Sequence, residues 1–510
     1  MRTAHVARIR KLAAFVIVLA ASFFAGAISS SQPSTVGDEA VRLDPKNPHY
    51  FLYRGKTIAL ITSGEHYGAV INEDFDYHRY LSTLAELGFN YTRVFTGSYV
   101  EVPGKSFGIQ RNDIAPAPGR FLAPWARSGE AGYAGGGNKF DLTQWNSHYF
   151  DRLHDFLAEA AKNGIVVEIT LFSSTYGSLQ WSFSPFHPGN NINHTDTIDW
   201  HNLNTLDNGN ILRFQEQFVR KIVREATPYS NVILEIQNEP WSDRGRPAGV
   251  VNPYLPDPAR DQFPNSIELA DAASLAWQLH VVKWIKTEES YAPAGHIEHL
   301  IAEDCCNFRS PIPSVLGGVS IVNFHYAYPE AVSLNYGLDL PLSYDETGFL
   351  GRDDDAYIRQ AWEFMLAGGS AFDNLDYSFT VGHEDGSDAE SNGPGGGSPE
   401  FRRRLKILAD FLRDLPLEGM KPYPFAGGSA PGLNVYALSN GEGESAFYLD
   451  GSSPAIFTLH RLPGKYRASW TRTDTGETSS ETIPNSGAEL KIAMPEFKGG
   501  IALRLIREHQ

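Results

Sequence analysis

Between residues 57 and 376, short apolar runs rich in β-branched and aromatic side chains alternate with longer segments of helical periodicity. That alternation predicts repeated parallel βα units. The runs fall at 57–63, 89–96, 165–172, 232–237, 299–302, 319–325, 342–345 and 371–375. Eight of them predict an α/β fold closed into a (β/α)8 TIM barrel rather than an open sheet. Helices are predicted over 75–87, 145–162, 211–225, 267–286, 355–366 and 401–412. In the first, Tyr80, Leu81, Leu84 and Leu87 recur at three- and four-residue spacing. The stretches 97–144 and 173–208, rich in Gly, Pro, Asn and aromatics, follow the second and third strands and read as loops over one barrel mouth. Loops after the strand C-termini build the active site in this fold, so their length predicts a walled cleft. Segment 391–399, Ser-Asn-Gly-Pro-Gly-Gly-Gly-Ser-Pro, reads as a flexible connection.

After residue 424 the pattern shortens to alternating runs at 434–438, 445–449, 455–459, 466–473, 488–493 and 500–506, separated by turn residues. These predict a small C-terminal antiparallel β-sandwich domain over 424–510, set against a barrel over 44–423. At the other end, Arg2, Arg8, Arg10 and Lys11 precede an apolar stretch 12–28 that contains Ala25-Gly26-Ala27. Charge, then apolar run, then small residues is the arrangement of an export signal over 1–28, followed by a linker over 29–43. Cleavage is the favoured reading and retention as a membrane anchor the alternative. The mature chain is then expected to be secreted or periplasmic, with no stable membrane insertion after signal cleavage.

A formal charge of −17, from 60 acidic against 43 basic residues scattered along the chain, argues against a nucleic-acid partner, which needs clustered cations. The 42% hydrophobic and 12% aromatic content excludes a disordered chain. Cys305 and Cys306 are adjacent, a poor arrangement for zinc, and read as ordinary thiols near a strand end; a strained vicinal disulfide is the rarer alternative.

The chemistry lies at two strand ends. The fourth run leads into Asn238-Glu239-Pro240-Trp241, and the seventh into Asp345-Glu346-Thr347-Gly348. Each places a Glu where a buried strand becomes a loop, and barrel closure brings the two across one pocket. Paired carboxylates in that relation suit glycoside cleavage, in which one acid protonates the leaving oxygen and a second carboxylate attacks the anomeric carbon. No H-E-x-x-H, G-x-S-x-G or P-loop pattern occurs, which removes the sequence support for metalloprotease, esterase and nucleotide-hydrolase readings. His383-Glu384-Asp385 reads as a polar loop or subsite wall rather than a metal site, and no cofactor or metal is expected.

With Asn238-Glu239-Pro240 on strand four and Glu346 on strand seven, the sequence resembles the clan A glycoside hydrolases, most nearly the cellulase-like family 5, as a remote member. The resemblance implies that Glu239 is the general acid/base and Glu346 the nucleophile, with Asn238 contacting the sugar 2-hydroxyl. Gly88-Phe89-Asn90-Tyr91-Thr92-Arg93 resembles the clan's second strand, so Arg93 is implied to sit beside the nucleophile and keep it ionised. Phe324-His325-Tyr326-Ala327-Tyr328 resembles the clan's His and Tyr pair, although the usual Tyr position holds Ala327; Tyr326 and Tyr328 are both candidates. Strand three ends in Phe172 where family 5 often has His, and strand eight offers Phe372, Asp373 and Tyr377 where a stacking Trp is common.

Other readings stand beside these. Glu239 and Glu346 could be structural ion pairs, and His325 and His66 satisfied core histidines. Trp125 and Trp181 could be packing residues; Trp241, next to the acid/base, is better placed to stack on a sugar face. The expected activity is retaining hydrolysis of a β-linked poly- or oligosaccharide, a carbohydrate substrate, by double displacement. A noncatalytic glycan-binding surface protein and a transglycosylase are the alternatives. The sugar, the linkage, and endo against exo action depend on the loops 97–144, 173–208 and 240–265.

Overall fold

The computed structural model describes residues 39–508 apart from 251–264, 294–295, 424–427, 430–431, 442, 452–455 and 498. The export segment 1–28 and most of the adjoining linker lie outside the described residues, as does most of the loop 240–265. No helix among the described residues is long and apolar enough to cross a membrane.

Eight parallel strands form a nearly closed barrel: β1 (Leu60–Gly64), β2 (Tyr91–Phe95), β3 (Val166–Ser173), β4 (Val232–Asn238), β5 (Leu300–Asn307), β6 (Ile321–His325), β7 (Leu342–Glu346) and β8 (Ala371–Leu375). Their order is β1-β8-β7-β6-β5-β4-β3-β2, so each lies beside its neighbours in sequence. Both faces are covered, which is why the strands read as continuous apolar runs. At the β1/β2 seam a side chain takes the place of the ladder. The Asn90 N–H donates to the Ile61 carbonyl (3.2 Å), the Ile61 N–H donates to Asn90 Oδ1 (2.9 Å), and Asn90 Nδ2 donates to the Ala59 carbonyl (2.8 Å).

Among the described residues six long helices flank the barrel: α1 (Tyr77–Glu86), α2 (Ser147–Lys162), α3 (Ile211–Ala226), α4 (Ala272–Glu289), α5 (Asp354–Leu366) and α6 (Pro399–Arg413). In α1 the buried stripe is Tyr77, Tyr80, Leu81 and Leu84, and the Asp76 carboxylate caps the first turn by accepting from the His78 and Arg79 N–H groups. The predicted helix 267–286 is corrected at its start. Ser266–Ala270 is a strand paired with Gly245–Val250, and this hairpin joins β5 antiparallel at Leu269 and Cys306. Asp271 ends the strand and caps α4, accepting from Ala273 and Ser274.

Three further expectations are corrected. Within 97–144, strands Trp125–Ala131 and Asn138–Trp145 form a hairpin that buries Phe140 and Leu142; the alternation around Asp141 was its signal, and α2 therefore starts only at Ser147. Segment 391–399 is packed rather than free, because a Cβ on Gly393 would fall 2.0 Å from the Tyr377 ring and one on Gly396 2.4 Å from Tyr357. The run 57–63 is divided. Lys56–Ile58 belongs to a three-stranded sheet with Arg42–Leu43 and Phe51–Tyr53, whose Val41, Phe51 and Tyr53 pack on the first residues of the barrel strands and plug the end opposite the mouth.

The C-terminal region holds a six-stranded sheet ordered Lys421–Pro422, Leu433–Ser439, Glu444–Gly451, Gly500–Glu508, Gly464–Arg472 and Thr478–Asn485, and a three-stranded sheet of Gly428–Ser429, Ile456–His460 and Glu489–Ala493. Period-two alternation in Glu444–Gly451 divides its side chains. Phe447 and Leu449 face the smaller sheet with Phe457 and Leu490, while Ala446 and Tyr448 join the barrel core. The Tyr448 ring stacks on Trp362 of α5, centroids 5.5 Å apart. Thr478–Asn485 escaped the sequence reading because nearly all of it is an exposed polar strand at the sheet edge.

Candidate active site

The last residues of β4, β6 and β7 converge at the C-terminal mouth. β4 ends at Asn238, and Glu239 follows in the left-handed region (φ 47°, ψ 52°) before Pro240 opens the short helix Pro240–Arg244. That turn aims the Glu239 side chain into the barrel instead of along the loop. Glu346 is the last residue of β7 and His325 the last of β6. One oxygen of each catalytic candidate and a ring nitrogen of His325 lie within 4.8 Å of one another.

The Tyr326 hydroxyl stands between the two carboxyl groups, 2.9 Å from Glu239 Oε1 and 2.8 Å from Glu346 Oε1. Of the two candidate tyrosines, Tyr326 is the one that reaches both carboxyl groups; Tyr328 packs on Phe308 and under Arg309. Tyr67 donates to Glu346 Oε2 (3.1 Å). Tyr176 accepts from Asn238 Nδ2 (2.6 Å) and donates to Glu239 Oε2 (2.8 Å), which fixes the direction of its single proton. Tyr176 is itself held by Asp243, whose carboxylate accepts from the Thr175 and Tyr176 N–H groups at 2.5 and 3.0 Å; burial pushes Asp243 up to about 6.

Arg93 is fully buried under the site. Its tightest partner is Glu235, reached from Nε (2.7 Å) and from Nη2. Nη2 also donates to Asn238 Oδ1 (2.8 Å), while Nη1 reaches Glu346 Oε2 only at 3.4 Å. The expected depression of the nucleophile is accordingly corrected. Burial raises Glu346, with Glu239 adding to it, and this outweighs the lowering by His325 and Arg93. Burial also raises Glu239, but the His325 hydrogen bond and charge, with Tyr176 and Tyr326, carry it below its ordinary value. The two carboxyl groups therefore share their protons as a pair, and the imidazole draws the negative charge toward Glu239.

His325 controls that bias. Burial opposes its protonation, but the charges of Asp304, Glu346 and Asp345 prevail and hold it well above 6.5. Its Nδ1 donates to Glu239 Oε1 (3.0 Å), and Nε2 lies 3.1 Å from Asp304 Oδ2. Asp304 is raised by its own burial, so Asp304 and His325 compete for one buried proton.

Ten non-glycine residues among the described residues have positive φ, and six of them, Tyr67, Phe107, Tyr176, Glu239, Tyr326 and Phe349, line one cavity. Backbone strain of this kind concentrates at functional sites because the surrounding structure must over-determine it. The cavity has a volume of about 380 Å³ and also takes in His66, Glu101, Asn238, Trp241, Glu268, Glu346 and Tyr377. Trp241 is a wall rather than an open platform: it is 4% exposed and packs edge-on against His325. Trp125 and Trp181 are buried packing residues, and Phe172 packs on Phe218 and Trp277. His383-Glu384-Asp385 ties loops together, with Glu384 accepting from Asp76 and Gly382 and Asp385 pairing with Arg79.

The sequence reading missed Tyr67, Glu101, Tyr176, Glu268 and Asp304. Tyr67 and Tyr176 each follow a predicted strand by a few residues, and that position was their only signal. Asp304 sits in a β5 that runs to Asn307, five residues past its predicted end; Asp304 faces His325, while Glu303 accepts from Leu316 and Asn307 bonds the strand Ser266–Ala270.

A family model described as a domain of unknown function, DUF6298, matches residues 108–204. No curated protein matches the chain in sequence. In three dimensions the chain is similar to a glycoside hydrolase family 5 structure from Bacteroides vulgatus ATCC 8482, at 10% identity and TM-score 0.60, over 92% of this chain and 94% of that one. A structure described as a glycoside hydrolase matches at 11% identity and TM-score 0.58, over 92% and 97%. At such identities the likeness is one of fold: the chain has the TIM barrel of these glycoside hydrolases, and its C-terminal region adds antiparallel sheets.

Proposed function

We propose that the chain is an exported retaining glycoside hydrolase, a remote clan A relative of family 5, which cleaves β-glycosidic bonds of poly- or oligosaccharides. The observation that carries this reading is the approach of Glu239 and Glu346 to within 4.8 Å at the barrel mouth. Retaining enzymes place the two carboxyl groups roughly 5 to 5.5 Å apart, whereas inverting enzymes need roughly 6.5 to 9.5 Å to admit a water.

In the first step Glu346 attacks the anomeric carbon as the bond to the leaving oxygen breaks, and Glu239 passes its proton to that oxygen. In the second step Glu239 takes a proton from water, whose oxygen attacks the same carbon and releases Glu346. The first step requires the pair's proton on Glu239 and the charge on Glu346, the reverse of the bias that His325 imposes. Arg93, Tyr67 and Tyr326 stabilise that charge on Glu346. Esterification of Glu346 then removes its charge and favours an anionic Glu239 as base.

The test is a panel of β-linked polysaccharides and aryl β-glycosides assayed with the wild type, Glu346→Gln and Glu239→Gln. Hydrolysis by the wild type should fall at least ~10³-fold in Glu346→Gln while glycan binding persists. Binding with no hydrolysis by the wild type would leave a glycan-binding protein instead, and transfer to added sugar acceptors as the main reaction would leave a transglycosylase.

A further inference from the structure

The two sides of the cavity differ, and double displacement assigns them. The sugar that becomes bonded to Glu346 lies on the nucleophile's side, and the departing group lies beside Glu239. Of the residues lining the cavity, Ser242 reaches Glu239 Oε2 (3.5 Å) and Glu268 feels the Glu239 charge, whereas Tyr67 donates to Glu346 and lies against His66, which in turn lies beside Tyr377 and 3.7 Å from Glu101.

The loop after β2 is stitched to the loop after β8: Arg111 pairs with Asp388 (2.7 Å) and Glu390 (2.9 Å). The Gln110 N–H donates to Asn392 Oδ1 (2.8 Å), and Asn392 Nδ2 returns to the Gly108 carbonyl (2.8 Å). The loop after β1 is pressed into the same wall. Gly68 approaches Asp113 so closely that a Cβ would fall 2.3 Å from its backbone, and Asn72 Nδ2 donates to the Asp113 carbonyl (3.1 Å).

Two polar side chains on the inner face of this wall are unused by the chemistry above. Glu101 is 3% exposed and is held by Tyr99 and Asn112. His66 is 9% exposed, lies tilted against the Tyr377 ring with centroids 4.6 Å apart, and has no hydrogen-bond partner on either ring nitrogen among the described residues; its Nε2 lies 3.7 Å from Glu101. A buried imidazole that makes no hydrogen bond, its nearest carboxylate 3.7 Å away, is stabilised when a ligand supplies one. A carboxylate beside it accepts the hydroxyl protons of a sugar ring.

On the glycosidase reading just given, we propose that Glu101 and His66 form a hydroxyl-binding anchor at the blind end of the cavity, so that the enzyme seats the non-reducing terminal sugar and removes it from chain ends. The volume of about 380 Å³ agrees with this, being near the lower end of the roughly 300 to 1,000 Å³ of ligand sites. An internal sugar would have to continue its chain past the loops that Arg111 and Asn392 tie together.

The test uses reducing-end-labelled β-linked gluco-, manno-, xylo- and galacto-hexaoses with the purified full-length protein, together with aryl β-glycosides of the same single sugars. Chain-end action gives labelled product shortened in steps from the far end, and nitrophenol release from the single-sugar glycosides. Label on fragments of mixed length from the earliest time point would overturn it. If neither set is cut, the glycosidase reading fails and the anchor falls with it. Glu101→Gln tests the anchor itself. Its kcat/KM should fall about 10- to 100-fold, as expected for a lost hydrogen bond to a charged group. That penalty should vanish against one of three substrates deoxygenated in turn at C3, C4 or C6 of the terminal ring. Loss of the same size on all three, or less than twofold loss on the parent substrate, would refute the assignment.

Discussion

The backbone N–H of Glu239 donates to Asp304 Oδ2 across 2.8 Å. The same oxygen lies 3.1 Å from His325 Nε2, so one buried carboxylate fixes both the left-handed turn at Glu239 and the imidazole that touches the Glu239 side chain. Asp304→Asn keeps an acceptor for the N–H but removes the negative charge that helps hold His325 protonated. His325 then loses its proton at lower pH, its charged donor no longer lowers Glu239, and Glu239 keeps its proton to higher pH. The alkaline limb of kcat/KM, set by ionisation of the acid, should move upward in a pH–rate profile. Asp304→Ala, which also removes the acceptor, should lower kcat by about 10²-fold or more through loss of positioning.

Tyr326 has a single hydroxyl proton to share between two carboxyl groups, each within 2.9 Å. Tyr326→Phe leaves both partners buried and short of one donor. We expect kcat to fall about 10- to 100-fold, with the melting temperature little changed, and calorimetry alongside steady-state kinetics checks both.

Beneath the site, Glu168 accepts from Tyr91 (2.5 Å) and Asn323 (2.7 Å). Burial, then the charges of Glu235 and Asp345, push it up to about 8. It is therefore protonated in the folded protein at neutral pH and ionised in the unfolded chain. A folded-state value above the unfolded one gives stability that is full below pH ~4.5 and lost as pH rises toward ~8. Glu168→Gln, which stays neutral throughout, should show a shallower fall of melting temperature across that window; an unchanged slope would show that Glu168 does not carry the effect.

Trp362 is fully buried between α5 and the C-terminal sheet, stacked on Tyr448. Trp362→Ala should destabilise the protein by about 3 to 5 kcal/mol through the cavity it leaves. If the C-terminal sheets brace the barrel, kcat at 25 °C should stay within twofold while thermal or denaturant unfolding moves.

The strands of the barrel were legible because their burial on both faces leaves unbroken apolar runs, and the two catalytic candidates because each sits where such a run stops. The rest depended on tertiary context. The hairpin 125–145 shows only a short alternation around Asp141 amid Gly and Asn, and Thr478–Asn485 has almost no buried face to pattern. Arg93 was found, but its first allegiance to Glu235 was not, since nothing in a linear sequence ranks its carboxylate neighbours. The phenols of Tyr67 and Tyr176 reach the carboxylates only because left-handed backbone turns them inward, a choice made by packing rather than by local propensity.

The pairing of Glu346 with the anomeric carbon can be read directly by mass spectrometry. Incubation with activated 2-deoxy-2-fluoro-β-glycosides of the sugar that the wild type cleaves should add one fluoroglycosyl group, carried by the peptide that contains Glu346. An adduct on another residue, or turnover with inversion and no adduct, would contradict the double-displacement assignment.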